Sequence, residues 1–575
     1  MQRSLMSKRY KIGLLVLLIL VILVIFSNII LSNLISKVVN NQLDKINKKG
    51  EVSLKIDKIG IDIFTGNLNM KNVSIKPDSL FFENFKLGKT PNAVVADFHL
   101  SELKIKGFNI FKILWYKKIL VKQIFVSGID LNLYKSDLFI ADIAAVKKTE
   151  KQSFDSIYIK GVEQIDLSRI EFDDFNIKIF HAQKQDTLFS YSGRAFEISG
   201  IALRNYENAK SHFKFDKEFL IVNFKNQQVD IEKGNYMLSV EDILFDHSKK
   251  NIKISSFKMK PRMDRAKLAS TYKYNSEVFD VETKEMSIDG FYLDTIVRTG
   301  VIALDSIVVD GLNLDIYKDQ TKPFNLEKRP LFLNQKLKKL DHPIYINKML
   351  IKNTFFSYRE KYENKDNLMA IDISAMNAEL SYLTSIKDSL ETDKKITINI
   401  KGKLNSVADL NLDILMSYNI WNDAFSFTGS VGASQLSAFN SAIFPAAGIR
   451  LESGMLKSMQ FSVTGNPTDG TQGSMIMRYS NINADLIIEE KEKKGLTWIA
   501  NSVMVKSNPS DKGKLKVALI EAERVPYKGF SNLLWKSVMS GMVNTINPVG
   551  KTVKREKKHN RNKEKKDWEK WFEKS

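Results

Sequence analysis

The sequence predicts a mostly β protein. It opens with an N-terminal transmembrane helix and continues as an elongated repeat β-sheet with short helices and a C-terminal amphipathic helix. Three observations lead there. Residues 12–35 are 24 uncharged positions, 19 of them Ile, Leu, Val or Phe. Beyond them apolar and polar residues alternate with a period of two, the pattern of a half-buried strand. A block of that pattern then recurs about 183 residues later.

The anchor comes first. A helix of 24 residues covers ~36 Å, enough for a bilayer core with some tilt. Arg3, Lys8, Arg9 and Lys11 precede it without an acidic residue, which favours a cytoplasmic N-terminus and an exported remainder. Lys37, Lys45, Lys48 and Lys49 follow and dilute that bias. The alternative is a cleaved signal peptide, but the stretch is long for one and no Ala-x-Ala-like site follows. The leader is thus 1–11 and the transmembrane anchor 12–36.

Strand patterns run from Val52 to about Ile420: Val52-Ser-Leu54-Lys-Ile56, Ile129-Asp-Leu131-Asn-Leu133, Leu312-Asn-Leu314-Asp-Ile316 and Ile396-Thr-Ile398-Asn-Ile400. Gly and Asp punctuate them at turn-like spacing, as at Gly128 and Gly311. With the chain shifted by 183 residues, Gly107-Phe108, Ile113, Ile119, Ile124, Val126, Gly128, Leu131 and Tyr134-Lys135 fall on Gly290-Phe291, Ile296, Ile302, Ile307, Val309, Gly311, Leu314 and Tyr317-Lys318. A shift of 184 matches Leu54 with Leu238 and Lys76-Pro77 with Lys260-Pro261. The predicted units are 37–215 and 216–395, each with a short helical piece (Phe108–Tyr116; Tyr292–Arg298). A tandem β-array without enclosing helices suggests an extended sheet in which each unit packs on its neighbour. Two separate β-sandwiches are the alternative.

A third β region, 396–525, contains a helix-like apolar stretch, Leu436–Phe444. An amphipathic helix is expected over 526–550, where Phe530, Leu533, Leu534, Val538, Met542, Val543 and Ile546 can share a stripe. Its longest uncharged run, Ser537–Gly550, is 14 residues and carries Gly541, Asn544 and Pro548, so it is short for a second span. The tail 551–575 holds 11 Lys/Arg and 5 Asp/Glu, a charge of +6, with Trp568 and Trp571. Phe530, Leu533, Leu534, Trp535, Trp568 and Trp571 are the membrane-interface candidates. A partner-docking helix with a merely solvated tail is the competing reading.

Composition excludes several chemistries. The absence of Cys rules out disulfides, thiolate metal sites and a cysteine nucleophile. The six His (His99, His181, His212, His247, His342, His559) are scattered. No phosphate-binding glycine loop, nucleophile elbow or His-Glu-x-x-His motif occurs. No catalytic residue, cofactor or metal is therefore expected. The net charge of +21 is spread along strand faces rather than gathered with aromatics, and an exported chain meets lipid phosphates rather than nucleic acid.

The anchor, the run Ile61-Asp-Ile-Phe-Thr-Gly-Asn-Leu-Asn-Met-Lys-Asn-Val-Ser-Ile75, the unit Leu103–Tyr134 with its copy Met286–Tyr317, and the 427–488 section resemble the AsmA-like superfamily of bacterial envelope proteins, which includes TamB-type proteins. The ending Asn501–Ile546 resembles versions from Bacteroidetes-type bacteria. The resemblance covers most of the chain. It implies a β-taco or groove with an apolar interior, held single-pass in the inner membrane with its bulk in the periplasm, and a part in moving phospholipid and in outer-membrane homeostasis. It carries over no catalytic residue.

An apolar groove suits that role physically, since an acyl chain in water costs about 0.8 kcal/mol per CH₂. The groove candidates are Ile105, Ile129, Leu131, Leu133, Ile288, Leu312, Leu314 and Ile316, with Asp130, Asn132, Asn313 and Asp315 facing away. The expected partners are phospholipids and the inner membrane, with the outer membrane and its proteins as further candidates. The expected function is non-enzymatic lipid transfer. The alternative is a structural or assembly factor for outer-membrane proteins that works through protein contacts.

Overall fold

A computed structural model describes residues 52–553, apart from 63–64, 91–93, 109–111, 113–114, 137–163, 185, 206–212, 217–219, 364–367, 387–393, 419–422 and 487–503. The leader, the anchor, most of the Phe108–Tyr116 piece and the tail beyond 553 lie outside the described residues. The described chain is mostly β with a few short helices, and it divides into two compact units: residues up to 262 with 284–293, and 263–283 with 294 onward.

In the first unit, β1 (Val52–Asp62), β2 (Asn67–Pro77) and β3 (Val94–Lys106) run antiparallel in turn. β3 pairs with β5 (Gln123–Lys135), which follows the short β4 (Lys118–Val121). Both β4 and β5 lie parallel to β6 (Gln164–His181). The antiparallel series resumes through β7 (Thr187–Asn205), flanked by β8 (Phe213–Asp216), to β9 (Ile221–Ile231) and β10 (Tyr236–Asp246). β10 pairs with β11 (Asn251–Ser255) and β12 (Lys258–Pro261). The intervening β13 (Glu277–Glu282) belongs to the second unit, and β14 (Glu285–Asp289) closes the first by pairing with β11. Helix α1 (Ser79–Lys86) starts where the Asp78 carboxylate accepts from the Leu80 and Phe81 amides at 2.9 and 3.3 Å, two donors that lack helical partners.

In the second unit α2 (Arg265–Thr271) is capped the same way by Asp264. α3 (Leu293–Thr299) falls on the expected Tyr292–Arg298 piece. β15 (Ile302–Asp310) and β16 (Asn313–Asp319) both lie parallel to β17 (Ile344–Lys361), and β16 also pairs with β13. Short α4 (Leu333–Lys338) precedes β17. An antiparallel run then follows: β18 (Met369–Thr384), β19 (Lys395–Leu404), β20 (Ala408–Ser417), β21 (Phe425–Val431), the two-residue β22 (Ser434–Gln435), β23 (Ile449–Asn466), β24 (Gly470–Leu486) and β25 (Ala518–Ala522). Within the Leu436–Phe444 stretch a 3₁₀ turn leads into α5 (Asn440–Ala447), which ends at Gly448 with φ of 70°, a left-handed cap that glycine adopts without a Cβ clash. Helix α6 (Phe530–Ile546) completes the unit.

The repeated sequence repeats its register. β1 and β2 pair from Val52↔Pro77 to Asp62↔Asn67; 184 residues later β10 pairs from Tyr236↔Pro261 to Asp246↔Asn251. β3 meets β5 at Val94↔Lys135, and β13 meets β16 at Glu277↔Lys318, a shift of 183. The turn chemistry recurs too: the Asp62 carboxylate accepts from the Thr65 amide at 3.2 Å, and that of Asp246 from the Lys249 amide at 3.3 Å. The two compact units nevertheless do not follow the two copies. The first hairpin of the second copy pairs onto β9 and joins the first unit, because ladder hydrogen bonds, not chain order, decide which strands form one body.

Candidate functional site

Residues directly opposite one another in a ladder share a face, so the register can be read across the first unit. Ile61, Leu68, Ile105, Ile124, Ile170, Ile198, Val222, Phe245, Ile252 and Ile288 form one unbroken apolar rib over ten strands. Beside it run Ile59, Met70, Leu103, Val126, Phe172, Phe196, Phe224, Ile243, Ile254 and Met286. In that rib the Phe196 ring stacks on Phe172 at 5.3 Å and on Phe224 at 4.4 Å. A third rib joins Leu54, Ile75, Phe98, Leu131, Ile177, Tyr191, Val229, Leu238 and Met259. One residue over, the rib is polar: Lys55, Ser74, His99, Asp130, Asn176, Ser192, Gln228, Ser239 and Lys258. Whole rows of one polarity thus alternate across the unit.

A common step crosses these strands. The ladders skip Asp57 opposite Asn72, Ser101 opposite Gly128, and Asp174 opposite Arg194, and Asn226 and Glu241 are skipped at the same level. Asn72, Gly128, Asp174, Asn226 and Ser256 there have φ between 47° and 68°. The apolar alternation changes parity at this level in each strand, as from Ile56 to Ile59 and from Val126 to Ile129. A left-handed residue puts the chain out of step with the regular alternation.

Exposure distinguishes these ribs from the core built by the C-terminal strands of the second unit; the Leu314 row there is half-buried like them. All ten residues of the Ile105–Ile288 rib, and all nine of the Leu131 rib, are only half-buried. A face covered by a second layer becomes fully buried, and the second unit shows this: Ile396, Met475 and Ile520 are 0% exposed and Phe427 1%. In the first unit α1 sits against Val95, Tyr134 and Ala182, with Phe82 packed on the Tyr134 ring at 4.8 Å. Tyr134 is out of phase with Leu131 and Leu133, so α1 covers the other face. One polar pair interrupts the apolar face: the Tyr191 hydroxyl donates to Gln227 Oε1 at 2.5 Å, and Gln227 Nε2 donates to the Ala195 and Lys225 carbonyls. Burial pushes the Tyr191 hydroxyl above its ordinary pKa.

The structure brings the first-unit groove candidates together. Ile105 and Ile288 share a rib, and Ile129, Leu131 and Leu133 share a face. Asp130 and Asn132 alternate away from it. In the second unit Leu314 lies in the row Val281, Leu314, Phe356, Ile373 and Leu404, and Ile316 in the row Phe279, Ile316, Tyr358 and Ile371. Leu312 is different: it precedes β16, after the left-handed Gly311, and its carbonyl accepts from the Phe355 amide at 2.8 Å. Asp315 is half-buried and ion-paired with Arg265, so it is not simply solvated.

The interface candidates on α6 need correction. Leu533 is 1% exposed, and Phe530 packs on Phe332 and Phe425 at ring distances of 5.4 and 5.2 Å. Leu534 packs on the same core. The apolar stripe is therefore seated on the protein's own sheet, because burial there removes it from water without a bilayer. Among the described residues no helix is long and apolar enough to cross a membrane. Trp568 and Trp571 lie outside the described residues.

Sequence reasoning missed how α6 is seated. Leu533, Ser537, Gly541 and Thr545, spaced four apart, form its buried stripe. Ser537 Oγ meets Thr471 Oγ at 2.7 Å, and a Cβ on Gly541 would lie 2.8 Å from Met475 Cε and 3.0 Å from Ile520 Cγ1. Small residues at that spacing were the available signal. A neighbouring stripe with Trp535, Val538, Met542 and Ile546 walls a partly open cavity of about 160 Å³, lined elsewhere by residues such as Ile443 and Met477.

Among the described residues no group of three or more His, Cys, Asp or Glu is placed to hold a metal ion. Compared with known proteins, the chain matches no family model and no curated protein.

Proposed function

We propose that this is a non-enzymatic lipid-handling protein, anchored in the bacterial inner membrane through residues 12–36, whose periplasmic β-array shields acyl chains along an apolar groove and conducts phospholipid in support of outer-membrane homeostasis. The observation that carries the reading is the pair of continuous apolar ribs on the first unit, those of Ile105 and Leu131, half-buried along their whole length where an ordinary core would be fully buried. Each CH₂ laid on such a surface instead of water is worth about 0.8 kcal/mol. A row of equivalent aliphatic residues provides many near-equal resting places, which suits movement better than one deep site. The polar rows alternate onto the opposite face. No reactive side chain is needed, because no bond changes.

The test is site-specific photo-crosslinking in cells. A photoreactive residue at Leu131 is expected to capture phospholipid, and one at Asp130, the adjacent residue on the other face, is not. Equal capture at both positions, or none at Leu131, would sink the reading.

A further inference from the structure

The cavity under α6 lies in the second unit, where Leu404 and Ile371, from the rows of Leu314 and Ile316, form part of its wall. We propose that it is a binding site for one linear hydrocarbon chain, entered methyl end first. The inference rests on the lipid-handling reading only for where the chain comes from.

Size and polarity lead to this ligand class. The volume, about 160 Å³, is close to that of apolar protein cavities of ~150 Å³ that stay dry yet take up a six-carbon ring. About six carbons would fit. Apart from the Trp535 indole, the only polar side chain in the lining among the described residues is Asn405, and its amide is already engaged. Nδ2 donates to the Ala438 carbonyl at 3.2 Å and to Ser441 Oγ at 3.3 Å, and Oδ1 accepts from the Asp372 amide at 3.1 Å. A carboxylate, hydroxyl or phosphate brought inside would lose its water and find no partner. Hydrocarbon is the chemistry that fits, with any head group left outside.

The walls suit a chain rather than a rigid ligand. Met459, Met477, Met504, Met539 and Met542 all line the space, and methionine reshapes itself around irregular apolar ligands. The void is also held open. α6 is seated by Ser537, Gly541 and Thr545, while Val538, Met542 and Ile546 of the cavity-facing stripe touch the core at the cavity's edge. Close-packed interiors seldom keep a void of this size without such support.

The experiment uses the full-length protein in vesicles and two probes: hexadecanoic acid with a diazirine near its methyl end, and a phosphatidylcholine that carries the same chain. After irradiation, tryptic peptides are mapped. The α6 peptide 537–551 is expected to be labelled in at least one arm, and the arm that labels it identifies the source as free fatty acid or phospholipid. Ala442→Leu and Ala484→Leu each push side-chain atoms into the cavity, and either is expected to cut that label about tenfold while label on peptide 123–135 of the sheet face stays unchanged. Two variants guard against one that folds poorly, with circular dichroism as the check. No label on 537–551 in either wild-type arm, or an undiminished label in both folded variants, overturns the proposal. Failure of the sheet-face reading shows separately, as an unlabelled peptide 123–135.

Discussion

Gly128 faces Ser101 where the β3–β5 ladder skips a pair. Ser101 Oγ donates to the Gly128 carbonyl at 3.4 Å, and a Cβ built on Gly128 would stand 2.2 Å from that same Oγ. Gly128 also has φ of 68°. Both the conformation and the close approach disfavour a side chain there, and the position recurs as Gly311 with φ of 65°. Gly128→Ala should therefore destabilise the first unit by about 1–3 kcal/mol, read as a lower urea midpoint. Adding Ser101→Gly should recover only the steric part. An unchanged midpoint for Gly128→Ala would show that the step in the strands carries no strain.

The exposure contrast between the first-unit ribs and the core around Ile396 predicts unequal costs for like substitutions. Ile396 is 0% exposed, so Ile396→Ala should cost about 2–5 kcal/mol. Ile124, half-buried on the ten-residue rib, should cost about 1 kcal/mol when changed to Ala, since less area leaves water. Equal costs in denaturant unfolding would mean that the first-unit face is covered.

Seating of α6 depends on small side chains. Gly541→Leu would drive a side chain into Met475 and Ile520 and should cost about 1–3 kcal/mol or more. The intrinsic fluorescence of Trp535, which lines the cavity, should red-shift as water enters. Leu533→Asp should lower thermal stability with no membrane present, because Leu533 is a core residue. If Leu533→Asp altered only vesicle binding, α6 would be an interfacial helix after all.

Asp246 predicts a pH effect. Its carboxylate accepts from Lys249 Nζ at 2.7 Å, Ser248 Oγ at 2.6 Å and the Lys249 amide at 3.3 Å, and these bonds, led by that to Lys249, lower its pKa to about 2 from an ordinary 3.8. A pKa depressed on folding stabilises the native state above the ordinary value. That contribution should be intact above about pH 5 and be lost as pH falls from about 4 to 2. Asp246→Asn should flatten this part of the stability–pH curve; an unaltered curve would remove Asp246 as its source.

The anchor expectation is tested by topology. A reporter fused after residue 50 should be active only in the periplasm, given the basic leader and the uncharged span that follows. Cytoplasmic activity would reverse the orientation and remove the periplasmic setting from the proposed function.

Much of the architecture was legible locally. Period-two runs such as Ile129-Asp-Leu131-Asn-Leu133 dictate which side chains share a face, because successive strand residues point to opposite sides. The 183-residue echo carried its turns and left-handed glycines with it, since the same letters meet the same backbone demands. What covers a face is different in kind. Ile124 and Ile396 sit in equally regular alternations, yet the first lies on a half-buried rib and the second is 0% exposed in a buried core. That difference depends on which distant segment docks there. Likewise the stripe of α6 showed that the helix would bury one side, but only the tertiary structure decided that the occupant is its own sheet, seated through Ser537, Gly541 and Thr545. Alternation and helical periodicity are set by backbone geometry within a few residues; coverage is set by contacts between residues far apart in the chain, and no local pattern encodes them.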